Sequence, residues 1–161
     1  MTELRPLREA DLSRVEAVFT DVDGTLTTAG RLRASTLGAL ERLDRAGVPV
    51  VLVTGRPAGF AEAWARTLPV AGVIAENGGI SVRIDGRGAL RKTYARPASV
   101  RARDRRRLTR VVQAALRAVP GARMSTDSRY SEWIWRSTST RKCGWDRRPR
   151  RRWRPSSPRA A

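Results

Sequence analysis

Along the chain, apolar positions switch between long uniform runs and helical spacing. Val15 to Thr20, with Val18 and Phe19 at its centre, is an apolar run that predicts a buried strand ended by Gly24. Ser35 is a candidate N-cap for a following helix, with Leu37, Leu40 and Leu43 on one face and Gly47 just past the end. Val48 to Val53 predicts a second buried strand, with Pro49 near its start, where proline is tolerated. Pro57 suits the first turn of a second helix whose apolar side is Phe60, Trp64 and Leu68, and Gly72 to Ala75 reads as a third short strand. Strand, helix and strand at this spacing make a βαβ unit with a parallel pair.

Glu76-Asn77-Gly78-Gly79 reads by local rules as a turn. Ile80 to Ile84 and Ala89 to Tyr94 then flank Asp85-Gly86-Arg87-Gly88, a hairpin-like turn. A long helix is predicted from about Ser99 to Val119, burying Leu108, Val111, Val112, Ala115, Leu116 and Val119 and stopped by Pro120-Gly121. Arg123 to Asp127 reads as one more strand with its turn. From Trp133 onward neither period persists.

The length of 161 residues suits one ordinary domain, or a small core with an insertion. No apolar run approaches the roughly 20 residues of a membrane span. Met1 to Arg14 has mixed charge and lacks the apolar centre of a signal peptide, so a cytoplasmic protein is expected. A single cysteine, Cys143, excludes an internal disulfide, and the absence of histidine excludes histidine-based triads and the usual zinc sites. Any chemistry falls to carboxylates, hydroxyls, Lys or Arg, and a metal. The net charge of +18 is concentrated in two runs. Residues 133–161 hold ten basic groups and one acid, residues 91–110 hold nine and one, and the remainder is nearly neutral.

Within that neutral part, Asp21 and Asp23 lie two residues apart at a predicted strand end, where they share a face if the extended conformation continues. Open α/β sheets place their ligands at such carboxyl ends. Close carboxylates repel unless a divalent cation lies between them or one holds a proton, which makes a place for magnesium, a nucleophile and a proton carrier. Gly24 lets backbone N–H groups approach a phosphate. An isolated Asp-x-Asp is more commonly an acidic turn. Thr54-Gly55-Arg56 offers a hydroxyl and a glycine amide ahead of a helix N-terminus, either a phosphate contact or a plain polar connection.

The seven residues Asp21-Val22-Asp23-Gly24-Thr25-Leu26-Thr27 resemble the first motif of the haloacid dehalogenase-like hydrolases, and Val53-Thr54-Gly55-Arg56 resembles the second. Glu76-Asn77-Gly78-Gly79 resembles the junction at which the sugar-phosphatase branch, the Cof-type and sucrose-phosphate-phosphatase-like enzymes, leaves its core for a cap. The resemblance implies an α/β fold, with a Rossmann-like three-layer core on a parallel sheet, here incomplete, and the start of an α+β cap. Residues 1–14 are then a lead-in, 15–79 the first part of the core, 80–132 a partial cap, and 133–161 a basic Arg/Trp/Pro-rich tail expected to be disordered. It implies Asp21 as nucleophile, Asp23 as general acid and base, and Mg2+ held by the Asp21 carboxylate and the Asp23 backbone carbonyl. Thr54 would hold the transferring phosphoryl group, Arg56 would help with substrate anions, and Asn77 would lie on the substrate side. The implied partner is a small phosphorylated sugar or sugar acid.

The family's third and fourth motifs, a lysine and acidic metal ligands after the cap, have no counterpart in context. Lys142 and Asp146 are the only later lysine and acid, and neither follows a buried strand. A low phosphatase activity is therefore expected. Joining the last base of the Trp133 codon to the first two of Ile134 gives an Asp codon. With suitable synonymous codons, that frame continues as an alternating apolar and polar strand resembling the sugar-phosphatase branch. One missing base near Glu132 would explain the abrupt change, which the coding DNA around codon 133 tests. A different class of function, a basic nucleic-acid-binding protein, would use the Arg-rich helix and the Arg/Trp tail. For the helix, a solvated arginine face is the plainer reading.

Overall fold

Alternation along the strands decides the architecture. The computed structural model describes residues 12–133 and, as backbone, Ser137–Ser139. Strands β1 (Val18–Asp21), β2 (Val50–Val53), β3 (Gly72–Ala75), β4 (Ile80–Ile84) and β5 (Leu90–Tyr94) form one sheet in the order β1-β2-β3-β4-β5. The first three run parallel, as the βαβ reading requires; β4 and β5 add on antiparallel. The hairpin read as the opening of a cap thus continues the core sheet. A small second sheet pairs β6 (Ala122–Met124) with β7 (Ser137–Ser139). That pairing gives a strand to part of the stretch in which the sequence shows no period; the rest of 134–161 lies outside the described residues.

Register places Val18 beside Val50, Thr20 beside Leu52, Leu52 beside Val73, and Val73 beside Val82. Side chains alternate faces with period two, so these residues share one face. Val50, Leu52, Val73, Ala75, Ile80 and Val82 on that face are all buried. Helices α1 (Ala34–Arg45) and α2 (Ala58–Thr67) pack there through Leu40 and through Ala58, Ala61 and Ala65. Two right-handed crossovers stepping the same way across a sheet put both helices on the same side.

The opposite face differs from the expectation of strands buried on both sides. Phe19, at the centre of the first apolar run, is 65% exposed, and Val51, Val53 and Ile74 are only partly buried. Among the described residues two layers are built, not three, because no described helix covers that side.

Three local expectations also shift. Ser35 lies inside α1, where Arg33 occupies the N-cap without a side-chain bond. Helix α2 meets the sheet through its alanines, which permit close approach. Trp64 and Leu68 pack at the core's margin, and Phe60 turns to Trp64 and Tyr130, ring centroids 5.8 and 6.3 Å away. Helix α3 (Ala98–Ala118) buries no residue, and Val111, predicted to face inward, is 64% exposed. Its arginines divide: Arg101 lies 3.6 Å over the Tyr94 ring, and Arg105 bonds the Ser131 and Glu132 carbonyls. Arg103, Arg106, Arg107 and Arg110 are exposed, as a solvated face requires. No helix among the described residues is long and apolar enough to cross a membrane.

Candidate active site

Strand β1 ends at Asp21, and the chain then coils through a single irregular turn, Val22–Leu26. Alternation survives the change: Val22 is buried while Asp21 and Asp23 are exposed. Both acids therefore stand outside the core at the carboxyl end of β1. Gly24 has φ 89°, a conformation that favours glycine. Thr27 closes the turn. Its hydroxyl donates to the Val22 carbonyl at 3.0 Å, and its Oγ1 accepts the Gly24 N–H at 3.4 Å. Thr27 belonged to the motif without an assigned task; holding the aspartate turn is that task.

The second half comes from β2, which lies parallel beside β1 with Val53 opposite Asp21. Thr54 is 3% exposed and continues the ladder by donating its N–H to Ile74 at 2.9 Å. Its Oγ1 accepts the Arg56 N–H at 3.1 Å, which leaves the hydroxyl proton to point elsewhere. Arg56 then reaches back across the sheet end to Asp23. Nε donates to Oδ2 at 2.9 Å and Nη2 to Oδ1 at 2.6 Å. This fork holds the guanidinium above its ordinary pKa, the hydrogen bond outweighing desolvation, with the Asp23 and Asp127 charges adding to it.

Asn77 joins the same cluster from β3. The Glu76 N–H donates to the Arg56 carbonyl at 3.0 Å, and the Asn77 N–H to the Thr54 carbonyl at 3.4 Å. The Asn77 side chain lies so close that a Cβ placed on Gly55 would stand 2.8 Å from its Oδ1. Asp23, Gly55, Arg56 and Asn77 are thus assembled around Thr54, with Asp21 on the adjoining strand tip.

Glu76 was not singled out in the sequence. A glutamate ahead of Asn-Gly looks like a solvent turn, and no local signal marks it as buried. A second polar network also escaped notice. Lys92 Nζ lies 2.6 Å from both Glu62 and Glu132, and the Tyr94 hydroxyl donates to Glu132 at 2.5 Å. Burial works against the Lys92 ammonium, yet its bonds to the two glutamates outweigh it and raise the pKa.

The described residues contain no group of three or more His, Cys, Asp or Glu able to hold a metal. Magnesium, however, commonly takes one or two carboxylates and keeps several waters. The exposed Asp21 carboxylate and, two residues on, the Asp23 backbone carbonyl are hard oxygen donors of the kind such a partial shell takes.

A Rossmann-like α/β sheet carrying paired aspartates on the turn after its first strand, and a Thr-Gly-Arg turn after its second, defines the class. The chain belongs to the haloacid dehalogenase-like hydrolases, whose family model matches residues 18–101. Curated relatives include a phosphoglycolate phosphatase of Methanococcoides burtonii, 35% identical over 89 residues, which cover 50% of this chain and 38% of that protein. Another, from Archaeoglobus fulgidus, is 44% identical over 66 residues, 40% of this chain and 29% of that one. The chain therefore spans well under half the length of these relatives. A hypothetical protein from Geobacillus kaustophilus superposes with TM-score 0.50 at 25% identity over 76% of this chain and 42% of that chain. Thermoplasma acidophilum 0175 shares the fold with TM-score 0.52 at 20% identity, over 72% of this chain and 47% of its own.

Proposed function

We propose that the site is that of a magnesium-dependent phosphatase acting on a small phosphorylated substrate through an aspartyl phosphate at Asp21. The observation that carries the reading is the chain of contacts from Asp23 through Arg56 to Thr54, which links the tips of two parallel strands. Family membership supports the reaction type, and the Glu76-Asn77-Gly78-Gly79 junction supports the Cof-type branch. The curated relatives make 2-phosphoglycolate, a phosphorylated hydroxy acid, the first substrate to test.

In this reading an Asp21 carboxylate oxygen attacks phosphorus, and the bond to the leaving oxygen breaks as that oxygen takes a proton from Asp23. Asp23 then takes a proton from the water that attacks phospho-Asp21, releasing phosphate and restoring the aspartate. Thr54 donates its hydroxyl to a phosphoryl oxygen, and Asn77 orients the substrate. Arg56 exchanges Asp23 for the phosphate, so anion binding releases the acid where it is needed. Magnesium, held by Asp21 and the Asp23 carbonyl, would neutralise charge on the phosphoryl oxygens.

The test is release of phosphate from 2-phosphoglycolate with and without Mg2+, for the chain and for Asp21→Asn. Slow, magnesium-dependent release that Asp21→Asn abolishes is expected. No release from the unaltered chain, or release that survives Asp21→Asn, overturns the reading.

A further inference from the structure

Glu76 is 1% exposed and has no part in the chemistry above, yet its carboxylate accepts three backbone N–H groups. Oε1 accepts from Ala58 at 3.0 Å and from Glu132 at 2.8 Å; Oε2 accepts from Trp133 at 2.8 Å. Ala58 opens α2, immediately behind Thr54-Gly55-Arg56. Glu132 and Trp133 close the excursion that begins after Gly79. A buried carboxylate is costly unless donors surround it, and three backbone donors do so here.

The local backbone is bent to bring this about. Glu76, Asn77 and Gly78 have φ of 53°, 56° and 89°. Left-handed conformations cost non-glycine residues about 1–2 kcal/mol each, and persist where surrounding structure over-determines them. This turn carries the Glu76 side chain inward while keeping Asn77 against Gly55. The returning segment is gripped from its other side as well. Lys92 and Tyr94 hold the Glu132 side chain, and Arg105 holds the carbonyls of Ser131 and Glu132.

We propose that Glu76 is a positioning residue whose single carboxylate sets the start of α2, and with it the Thr54-Gly55-Arg56 turn, in register with the returning segment 131–133. The link itself is independent of the phosphatase reading; only its consequence for anion binding rests on that reading. Loosening 131–133 from the far side is transmitted through Glu76 to Ala58.

The test is backbone amide hydrogen exchange, residue by residue, in the full chain, in Lys92→Met, in Glu76→Gln and in the double variant. Gln keeps the shape of Glu76 but turns one acceptor into a donor facing an N–H. Lys92→Met is expected to speed exchange roughly tenfold at Trp133 and also at Ala58, the equivalent of a hydrogen bond to a charged group. In the Glu76→Gln background the same change leaves Ala58 unaltered. Inorganic phosphate with Mg2+ slows exchange at Trp133 in the unaltered chain and not in Glu76→Gln. Ala58 exchange indifferent to Lys92→Met, or altered equally in both backgrounds, overturns the proposal. Should Glu76→Gln not fold, Tyr94→Phe decides, since it loosens Glu132 without removing the Lys92 contact to Glu62 of α2, and Ala58 exchange indifferent to it overturns the proposal. If that response appears while phosphate protects no amide, the link stands and the phosphate-site reading falls.

Discussion

Arg56 and Asp23, 33 residues apart in the chain, meet as a two-pronged ion pair at the mouth of the site. Their side chains are 33% and 43% exposed, and pairs so solvated contribute about 0–1 kcal/mol. The pair therefore adds little to stability, and under the proposed function Arg56 exchanges Asp23 for phosphate. Arg56→Met should shift urea unfolding by less than about 1 kcal/mol while weakening inorganic phosphate binding roughly tenfold or more. A large loss of stability with unchanged phosphate affinity would reverse that assignment.

Gly55 has no positive φ, so its backbone tolerates alanine, but the added Cβ meets Asn77 Oδ1 at 2.8 Å. The movable amide gives way. Gly55→Ala is expected to cost at most about 1 kcal/mol of stability and to lower phosphate affinity severalfold. In an Asn77→Ala background the same change should cost less affinity, a coupling that a double-mutant cycle measures.

The two sheet faces predict opposite responses to truncation. Leu52 is fully buried under α1 and α2, so Leu52→Ala should lose about 2–5 kcal/mol, enough to unfold a marginal domain. Phe19→Ala, on the uncovered face, should change urea unfolding by less than about 1 kcal/mol. Equal losses at the two positions would mean that Phe19 is covered in solution.

Stability should plateau across neutral pH and fall at both ends. For Glu132, burial opposes ionisation, but the bonds from Lys92 and Tyr94 outweigh it and bring the pKa below the ordinary 4.5. Its contribution is present above that value and lost as pH falls through the lowered one. Lys92 is raised above its ordinary 10.5, and Tyr94 is raised above 10.0, chiefly by its bond to Glu132. Their contributions are complete below those values and lost as pH rises through the raised ones. Thermal unfolding followed from pH 3 to pH 11 checks this, at about those limits. Lys92→Met should flatten both edges.

The βαβ core, the hairpin and the paired-aspartate motif were legible because each is written locally. Runs of Val and Leu mark strands, Gly47 stops a helix, and Asp21-x-Asp23-Gly24 places two acids on one side of a chain that keeps its alternation. The same local rules misjudged Phe19 and Val111, since an apolar residue says nothing about whether another element arrives to cover it. Arg56 could be suspected of binding anions, but its grip on Asp23 depends on the parallel pairing of β1 with β2.

What the sequence by itself determined is which residues are the candidates for the chemistry and which strands they follow, because backbone propensity and side-chain periodicity act over a few neighbours. What only the tertiary structure decided is the company each residue keeps. Glu76 reads as a surface turn until contacts across 56 and 57 positions bring the amides of Glu132 and Trp133 to its carboxylate. Long-range pairing of that kind leaves no local trace, since its energy arises only when distant segments have already been brought together.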